Sequence, residues 1–271
     1  MNKKHIILMV LIACVAMIAL AGCGSSSSSS SDDEVKNDDQ TFVVGLDDSF
    51  PPMGFRDDNN NIVGFDVDLA KEAGKRMGQE VKFQVINWDT KEMELNNDKI
   101  DAIWNGLSIT DDRKKNMDFT KPYLENDQII VVKNGSTIAA KADLAGKKVG
   151  CQKGSSAYDA LMADSIASQI DGAKPTEFDD NVSCFQDLDS GRIDAMVVDS
   201  VVAKYYISKN KADFKILSDS LSPEKYGVAV KKGNTEMLNK IQKAMDEMIA
   251  DGTAGKISKT WFGEDIIYKG N

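Results

Sequence analysis

The stretch Phe42-Val43-Val44-Gly45-Leu46 predicts a short apolar strand, and the segment Phe65–Met77 predicts the helix that follows it. Leu69 and Ala73 lie on one apolar stripe of that helix, and Gly78 is a natural helix stop. The alternation of strand and helix patterns continues along the chain. It predicts an α/β fold with a largely parallel sheet and helices on both faces.

This alternation runs through two series, and the second restarts after the apolar strand at residues 128–133. The segments 97–103 and 189–196 echo each other, since each combines a helix end, a turn and a strand, with a leucine in the preceding helix. The echo and the restart together favour two similar lobes. Further strands are predicted at 81–85, 100–104, 147–151, 176–178, 193–198 and 226–230, and further helices at 91–96, 156–163, 183–189, 201–208 and around Leu238, Ile241, Met245 and Met248.

The N-terminus has the order of a bacterial lipoprotein signal. Two lysines precede an apolar run, and Leu20-Ala21-Gly22-Cys23 places small residues before a cysteine. We expect residues 1–22 to be a signal peptide that is cleaved before Cys23. A diacylglyceryl group on the Cys23 sulfur, with two acyl chains such as palmitate, would hold the protein on the extracytoplasmic face of the cell membrane. A plain signal peptide and a membrane-spanning anchor are the alternatives.

Residues 23–40 predict a flexible tether behind this anchor. The segment from Ser25 to Gln40 is rich in serine and aspartate, and Val35 is its only apolar residue. Such a segment has too little apolar surface to fold on its own.

Charge and histidine content exclude several classes of function. The chain has a formal charge of −10, and removal of Lys3 and Lys4 with the signal peptide leaves 31 basic against 43 acidic residues. An acidic chain of this kind argues against binding to nucleic acid. The one histidine, His5, leaves with the signal peptide, which excludes histidine-based nucleophilic triads and histidine metal sites. We predict no metal and no cofactor.

Two cysteines, Cys151 and Cys184, remain in the folded part. An even pair in an exported protein predicts a disulfide, and two separate buried thiols are the alternative.

Several motifs resemble one family, and they extend from Phe42 to Gly263. The chain resembles the polar amino-acid-binding family of extracellular solute-binding proteins that serve ABC importers. The matching stretches are Gly45-Leu46-Asp47-Asp48-Ser49-Phe50-Pro51-Pro52-Met53, Gly64-Phe65-Asp66-Val67-Asp68-Leu69-Ala70, Ile100-Asp101-Ala102-Ile103, Gly106-Leu107-Ser108-Ile109-Thr110-Asp111-Asp112-Arg113-Lys114-Lys115, Asp118-Phe119-Thr120-Lys121-Pro122-Tyr123, Arg192-Ile193-Asp194-Ala195 and Trp261-Phe262-Gly263.

The resemblance implies a two-lobed periplasmic-binding-protein-like fold, with two hinge strands and the ligand in the cleft between the lobes. It places lobe one at residues 41–124 plus 226–271 and lobe two, with the hinges, at residues 125–225. It also implies a receptor that takes a free amino acid and delivers it to the membrane permease of an ABC transporter, without covalent chemistry. The lobes would close around the ligand.

Two charged residues are the main candidates for holding the ends of a zwitterion. The resemblance implies that Arg113 binds the carboxylate, for which a guanidinium offers a planar pair of donors. On the sequence alone, Arg113 is most simply a solvated helix charge. Asp199 follows a predicted strand and is by default a helix N-cap, but the resemblance implies that it binds the ammonium group.

Other positions are expected to line the cleft. Asp47 would contact the ligand side chain, although the sequence does not decide between Asp47 and Asp48. Phe50 and Trp88 would be the aromatic walls, with core packing as the alternative. Gln152 replaces a basic residue found in some members, so no charge contact is expected there. The remaining expected ligand-binding residues are Asn105, Gly106, Ser108, Ser155 and Ser156.

Two other functions stay open. One is an enzyme of the same fold, similar to cyclohexadienyl dehydratase, with Asp47 as the candidate acid. The other is an extracellular sensor domain, which is disfavoured because the sequence ends at Asn271 with no transmembrane or signalling segment. The amino acid bound, the permease and the oxidation state of the cysteines are not decided by the sequence.

Overall fold

The computed structural model describes residues 41–210 and 213–270. The predicted signal peptide, Cys23 and tether lie outside these residues. The strands are β1 (Thr41–Leu46), β2 (Ser49–Phe50), β3 (Gly54–Arg56), β4 (Ile62–Val63), β5 (Glu80–Val85), β6 (Ala102–Ile103), β7 (Met117–Phe119), β8 (Leu124–Lys133), β9 (Val149–Gln152), β10 (Thr176–Phe178), β11 (Ala195–Asp199), β12 (Phe214–Tyr226) and β13 (Ala229–Lys231). The helices are α1 (Phe65–Met77), α2 (Lys91–Asn96), α3 (Asp111–Asn116), α4 (Ser156–Ala163), α5 (Asn181–Ser190), α6 (Ser200–Asn210), α7 (Thr235–Ala250) and α8 (Thr253–Phe262).

One five-stranded sheet has the order β5-β1-β6-β13-β7. Strand β1 runs parallel to β5 and β6, whereas β13 runs antiparallel to β6 and β7. Helices α1, α7 and α8 bury their apolar residues with Phe42 and Val44 on one face. Leu95 of α2 packs with Ile103 on the other face. The sheet is thus mixed, because β13 returns from the second half of the chain.

The second five-stranded sheet has the order β10-β9-β11-β8-β12. Strands β10, β9 and β11 are parallel, while β8 is antiparallel to β11 and β12. Leu161 of α4 packs with Val149 on one face, and Phe185 of α5 packs with Val131 on the other.

Strands β8 and β12 connect the two sheets. Lys133 of β8 pairs with Phe214 of β12 at one end, and Leu124 pairs with Tyr226 at the other. Leu124 and Tyr226 are buried in the core beside the first sheet. Tyr226 also forms a bridge with Ser108 beside that sheet. The expected α/β architecture of two sheet-rich lobes is confirmed, with β8 and β12 as the connecting strands.

The two echoing segments have the same local structure. The backbone N–H of Val43 donates to the Asp101 carboxylate at 2.7 Å, and that of Lys148 donates to the Asp194 carboxylate at 2.8 Å. Each aspartate therefore ties the strand that follows it to the neighbouring parallel strand, β1 in one sheet and β9 in the other. The repeat in the sequence corresponds to a repeated turn.

The predicted disulfide is wrong for this structure, in which Cys151 and Cys184 are buried free thiols. Side chains alternate across a strand, and a Cβ atom placed on Gly150 would lie 2.8 Å from the Cys184 sulfur. Cys151, the next residue, faces the opposite side of the sheet, where it packs with Ala157 and Leu161. Burial raises the pKa of the Cys151 thiol to about 12.

None of the helices within residues 41–210 and 213–270 is both long and apolar enough to span a bilayer.

Candidate functional site

Arg113 is a buried cation at the start of α3. The Thr110 side chain caps this helix by accepting from the Arg113 N–H at 3.2 Å. The guanidinium donates to the Ser108 carbonyl at 2.9 Å and to the Gly154 carbonyl at 3.3 Å. Arg113 is only 5% exposed, and no carboxylate of the described residues lies within ion-pair distance of it. Burial lowers its pKa, and the negative charges of several carboxylates, led by Asp159, oppose that shift.

Asp199 is a buried carboxyl group at the carboxyl end of β11. Its Oδ1 accepts from Asn126 at 2.6 Å, from Gln128 at 2.8 Å and from the Tyr226 hydroxyl at 2.6 Å. Burial, followed by the negative charge of Glu224, raises the pKa of Asp199 to about 7. The carboxyl ends of strands are where open α/β sheets bind ligands.

Asp47, and not Asp48, points into the space between the lobes. Asp47 accepts from the Ser49 N–H at 2.8 Å and from the Gln152 amide of the other lobe at 2.7 Å. Asp48 forms an ion pair with Arg56. Burial raises the pKa of Asp47 to about 6, although the two hydrogen bonds oppose this shift.

Phe50 and Trp88 form an aromatic pair beside Asp47. Their ring centroids lie 6.4 Å apart and their planes differ by 14°. Lys91 covers the Trp88 ring at 5.1 Å and donates to the Gly154 carbonyl of the other lobe at 2.8 Å. Lys91 is 4% exposed, and burial followed by the Arg113 charge lowers its pKa to about 7.

Gln152, Ser155 and Ser156 lie where β9 passes into α4. The Gln152 amide spans the lobes, since it also donates to the Asp179 carbonyl at 3.0 Å and accepts from Asn181 at 2.9 Å. Ser155 is the N-cap of α4 and accepts from the Tyr158 N–H at 3.2 Å. The Ser156 hydroxyl lies 3.0 Å from the Ser108 hydroxyl of the other lobe.

Asp66 is a buried carboxylate that contacts residues next to the site. It accepts from the Gly106 N–H at 2.6 Å and from the Tyr123 hydroxyl at 2.8 Å. Asn105, next to Gly106, accepts from the Asp47 N–H at 3.1 Å. Trp104 is 1% exposed and packs near Tyr123, with ring centroids 6.3 Å apart. Trp104 is therefore a core residue.

Asp66 gives the fold a measurable pH dependence. Burial raises its pKa from 3.8 to about 7, so the folded protein binds this proton more tightly than the unfolded chain. The contribution of Asp66 to the free energy of unfolding is therefore present at low pH and is lost as pH rises through about 7. We expect wild type to lose more stability than Asp66→Asn between about pH 5 and about pH 7.5, measured by urea denaturation. The exposed Asp58→Asn is the control and should behave as wild type; equal losses in wild type and Asp66→Asn would contradict the assignment.

The predicted site residues thus lie together, and hydrogen bonds connect them across the two lobes. Their roles stay predictions. Sequence reasoning missed Lys91, Asn126, Gln128 and Glu224. A signal existed for Asn126 and Gln128, because they alternate as buried polar residues in the otherwise apolar strand β8. Lys91 and Glu224 had no signal beyond their charge.

The described residues contain no cluster of three or more acidic, histidine or cysteine side chains that could hold a metal ion.

The chain belongs to the bacterial extracellular solute-binding proteins, family 3, whose sequence profile matches residues 42–264. It is 34% identical over 228 residues to the L-cystine-binding protein TcyJ of Escherichia coli (strain K12), covering 83% of this chain and 84% of that protein. The fold and family expected from the sequence are therefore confirmed.

Two solved structures are similar to the whole folded part. An ancestral arginine-binding protein bound to arginine has 44% identity and a TM-score of 0.78, and covers 83% of this chain and 99% of its own. An ABC uptake transporter substrate-binding protein from Streptococcus pneumoniae with bound histidine has 34% identity and a TM-score of 0.83, and covers 85% of this chain and 96% of its own. The protein is accordingly an extracytoplasmic amino-acid-binding receptor of the class that serves ABC importers.

Proposed function

We propose that the protein binds a free polar amino acid between its lobes, with Arg113 on the carboxylate and Asp199 on the ammonium group. The observation that carries this proposal is the buried Arg113 guanidinium, which faces carbonyl oxygens and no carboxylate within the described part of the chain. A buried cation of this kind is stabilised by an anionic partner. Ser108 and the Gly106 carbonyl would complete the ammonium site.

We further propose that the ligand side chain carries an N–H donor that meets Asp47 between Phe50 and Trp88. Asp47 already accepts from an amide N–H, that of Gln152. The ligands named for the similar proteins are cystine, arginine and histidine. Arginine and histidine have side-chain N–H groups, and cystine has a second α-ammonium group. An acidic side chain would be repelled by Asp47.

A thermal-shift screen against the common amino acids and cystine tests this function. A ligand at about 100 times its dissociation constant stabilises the folded state by about 2.7 kcal/mol. We expect stabilisation by at least one of L-cystine, L-arginine, L-histidine and L-glutamine, and none by L-glutamate or L-aspartate. No stabilisation by any free amino acid would contradict the proposal.

Asp47→Asn should change which side chain is preferred while it retains some affinity. The asparagine keeps the shape of the site but removes the negative charge that attracts a cationic or amide side chain. We expect the preference among arginine, histidine and glutamine to shift by about tenfold, or roughly 1.4 kcal/mol, in calorimetric titrations. The control is Asp48→Asn, which changes the neighbouring carboxylate outside the cleft. Unchanged relative affinities in Asp47→Asn would show that Asp47 does not contact the side chain.

Binding without chemistry is the expected activity. A general acid must be protonated near neutral pH, and the pKa of Asp47, raised by burial to about 6, leaves this carboxyl mostly ionised at pH 7. Incubation with excess receptor should therefore return the bound amino acid unchanged, as checked by mass spectrometry.

The lobe boundaries are proposed at residues 41–124 plus 226–271 for lobe one and 125–225 for lobe two with its hinges. The support is the course of β8 and β12, which leave the second sheet together and reach the first core at Leu124 and Tyr226.

We also propose that a lipid on Cys23 anchors the receptor to the outer face of the cell membrane beside its permease. The support is the order of residues before Cys23. Cys23→Ala should yield an unlipidated chain that is unprocessed or mislocalised, while the folded part still binds its ligand. Mass spectrometry of the mature protein checks this, and an N-terminus elsewhere with a free Cys23 thiol would refute it.

A further inference from the structure

Glu224 brings a second carboxylate to the ammonium end of the cleft. It lies on β12, one of the two strands that connect the lobes. Its Oε2 lies 2.5 Å from the Ser108 hydroxyl, which belongs to the first lobe, and 3.1 Å from the Ser156 hydroxyl, which belongs to the second. One carboxylate oxygen on a connecting strand therefore contacts both lobes.

Glu224 and Asp199 share their hydrogen-bond donors. The Gln128 amide lies 2.8 Å from Asp199 and 3.0 Å from Glu224, and the Asn126 amide lies 2.6 Å and 3.4 Å from them. Two adjacent carboxylates repel each other unless a cation or a proton lies between them. No lysine or arginine of the described residues forms an ion pair with either one.

The surrounding charged groups leave this position open to a ligand cation. Arg113 is a buried cation of the cleft, but its guanidinium is directed to the Ser108 and Gly154 carbonyls. The Tyr226 hydroxyl is a donor to Asp199. Lys225 lies over the Tyr268 ring, 4.0 Å from its centroid, and so is engaged elsewhere.

We propose that Glu224 is a further ligand-binding residue, which holds the ligand's ammonium group together with Asp199. This inference rests on the proposed function. An ammonium group has three N–H donors, and two carboxylates accept two of them in charge-assisted hydrogen bonds. Because Glu224 also contacts Ser108 and Ser156, the ammonium is bound where both lobes meet the connecting strand. The site should select a free primary ammonium over an N-acylated amino acid.

The electrostatics agree with this arrangement. The negative charge of Glu224 is the second cause, after burial, of the rise in the pKa of Asp199 to about 7. Near pH 6.5 the Asp199 carboxyl of the unliganded protein is then partly protonated, and a bound ammonium replaces that proton. Ligand binding by wild type should release that proton.

Calorimetry near pH 6.5, in two buffers of different ionisation enthalpy, measures affinity and proton release together. We expect Glu224→Gln to bind at least about tenfold more weakly and to release fewer protons, because the remaining Asp199 has lost its charged neighbour. The titrants are L-cystine, L-arginine and L-glutamine, used in turn. Glu125→Gln, which removes an exposed carboxylate from the adjacent connecting strand, should match wild type in both measurements.

Proton release separates a charge that acts at the ammonium site from a merely structural role, which would weaken binding without changing the proton count. Glu224→Asp keeps the negative charge, so it should release protons as wild type does. This variant also provides a test if Glu224→Gln does not fold. If Glu224→Gln binds within about twofold of wild type and releases as many protons, the inference about Glu224 is wrong and the proposed function is unaffected. Failure of wild type to bind any amino acid would instead overturn the proposed function, and the inference with it.

Discussion

Arg113→Ala should abolish detectable binding of every amino acid tested. The ligand carboxylate would be enclosed between the lobes without its cation, and removal of one partner of a buried charge pair costs about 2–5 kcal/mol. That corresponds to binding weaker by about 30-fold to several thousand-fold. Calorimetric titration of wild type and variant with the preferred amino acid is the direct measurement.

Lys115→Ala is a matched control for Arg113→Ala. Lys115 belongs to the same helix but is exposed and forms an ion pair with Asp112, so its loss should leave affinity unchanged. A dissociation constant for Arg113→Ala within about threefold of wild type would mean that another group holds the carboxylate.

Asp199→Ala is expected to have the second-largest effect on binding. The substitution removes the anion that faces the ligand ammonium, and it also removes the acceptor shared by Asn126, Gln128 and Tyr226. Loss of a buried, hydrogen-bonded carboxylate should again weaken binding by about 2–5 kcal/mol. Calorimetry gives the change in affinity, and circular dichroism checks that the variant is folded.

The control for Asp199→Ala is Asp189→Ala. Asp189 is an exposed carboxylate of the same lobe that pairs with Lys133 at the surface, and its removal should not alter binding. If the two variants have equal affinity for the ligand, Asp199 does not hold the ammonium group.

Several regular elements were predictable from the sequence. The helices Phe65–Met77 and Ser156–Ala163 and the strand Thr176–Phe178 begin and end as expected. Their boundaries are set by local signals such as Gly78, which ends α1 with a φ of 73°. Such signals do not depend on distant parts of the chain.

Strand β12 was predictable only at its end, Tyr226. Its second half, from Ser218 onward, is mostly polar, and Pro223 interrupts the pattern. Its strand conformation depends on pairing with β8, a distant partner that no local pattern reveals. Proline is tolerated there because β12 is at the edge of the sheet. Glu224 was missed for the same reason.

Individual site residues differed in how far the sequence could place them. The roles of Arg113 and Asp199 were predicted only from the family resemblance. The local sequence around Arg113 is also typical of a charge on a helix surface, and that around Asp199 is also typical of a helix N-cap. Lys91 escaped notice because its burial results from the contact with Gly154 of the other lobe. The disulfide was mispredicted because counting cysteines does not reveal which face of a sheet each side chain occupies.

A crystal structure of the receptor with its bound amino acid would locate both charged ends of the ligand. We predict a ligand between the lobes, with its carboxylate within hydrogen-bond distance of the Arg113 guanidinium and its ammonium group against Asp199. A ligand bound outside the cleft, or bound in the cleft with its carboxylate away from Arg113, would contradict this prediction.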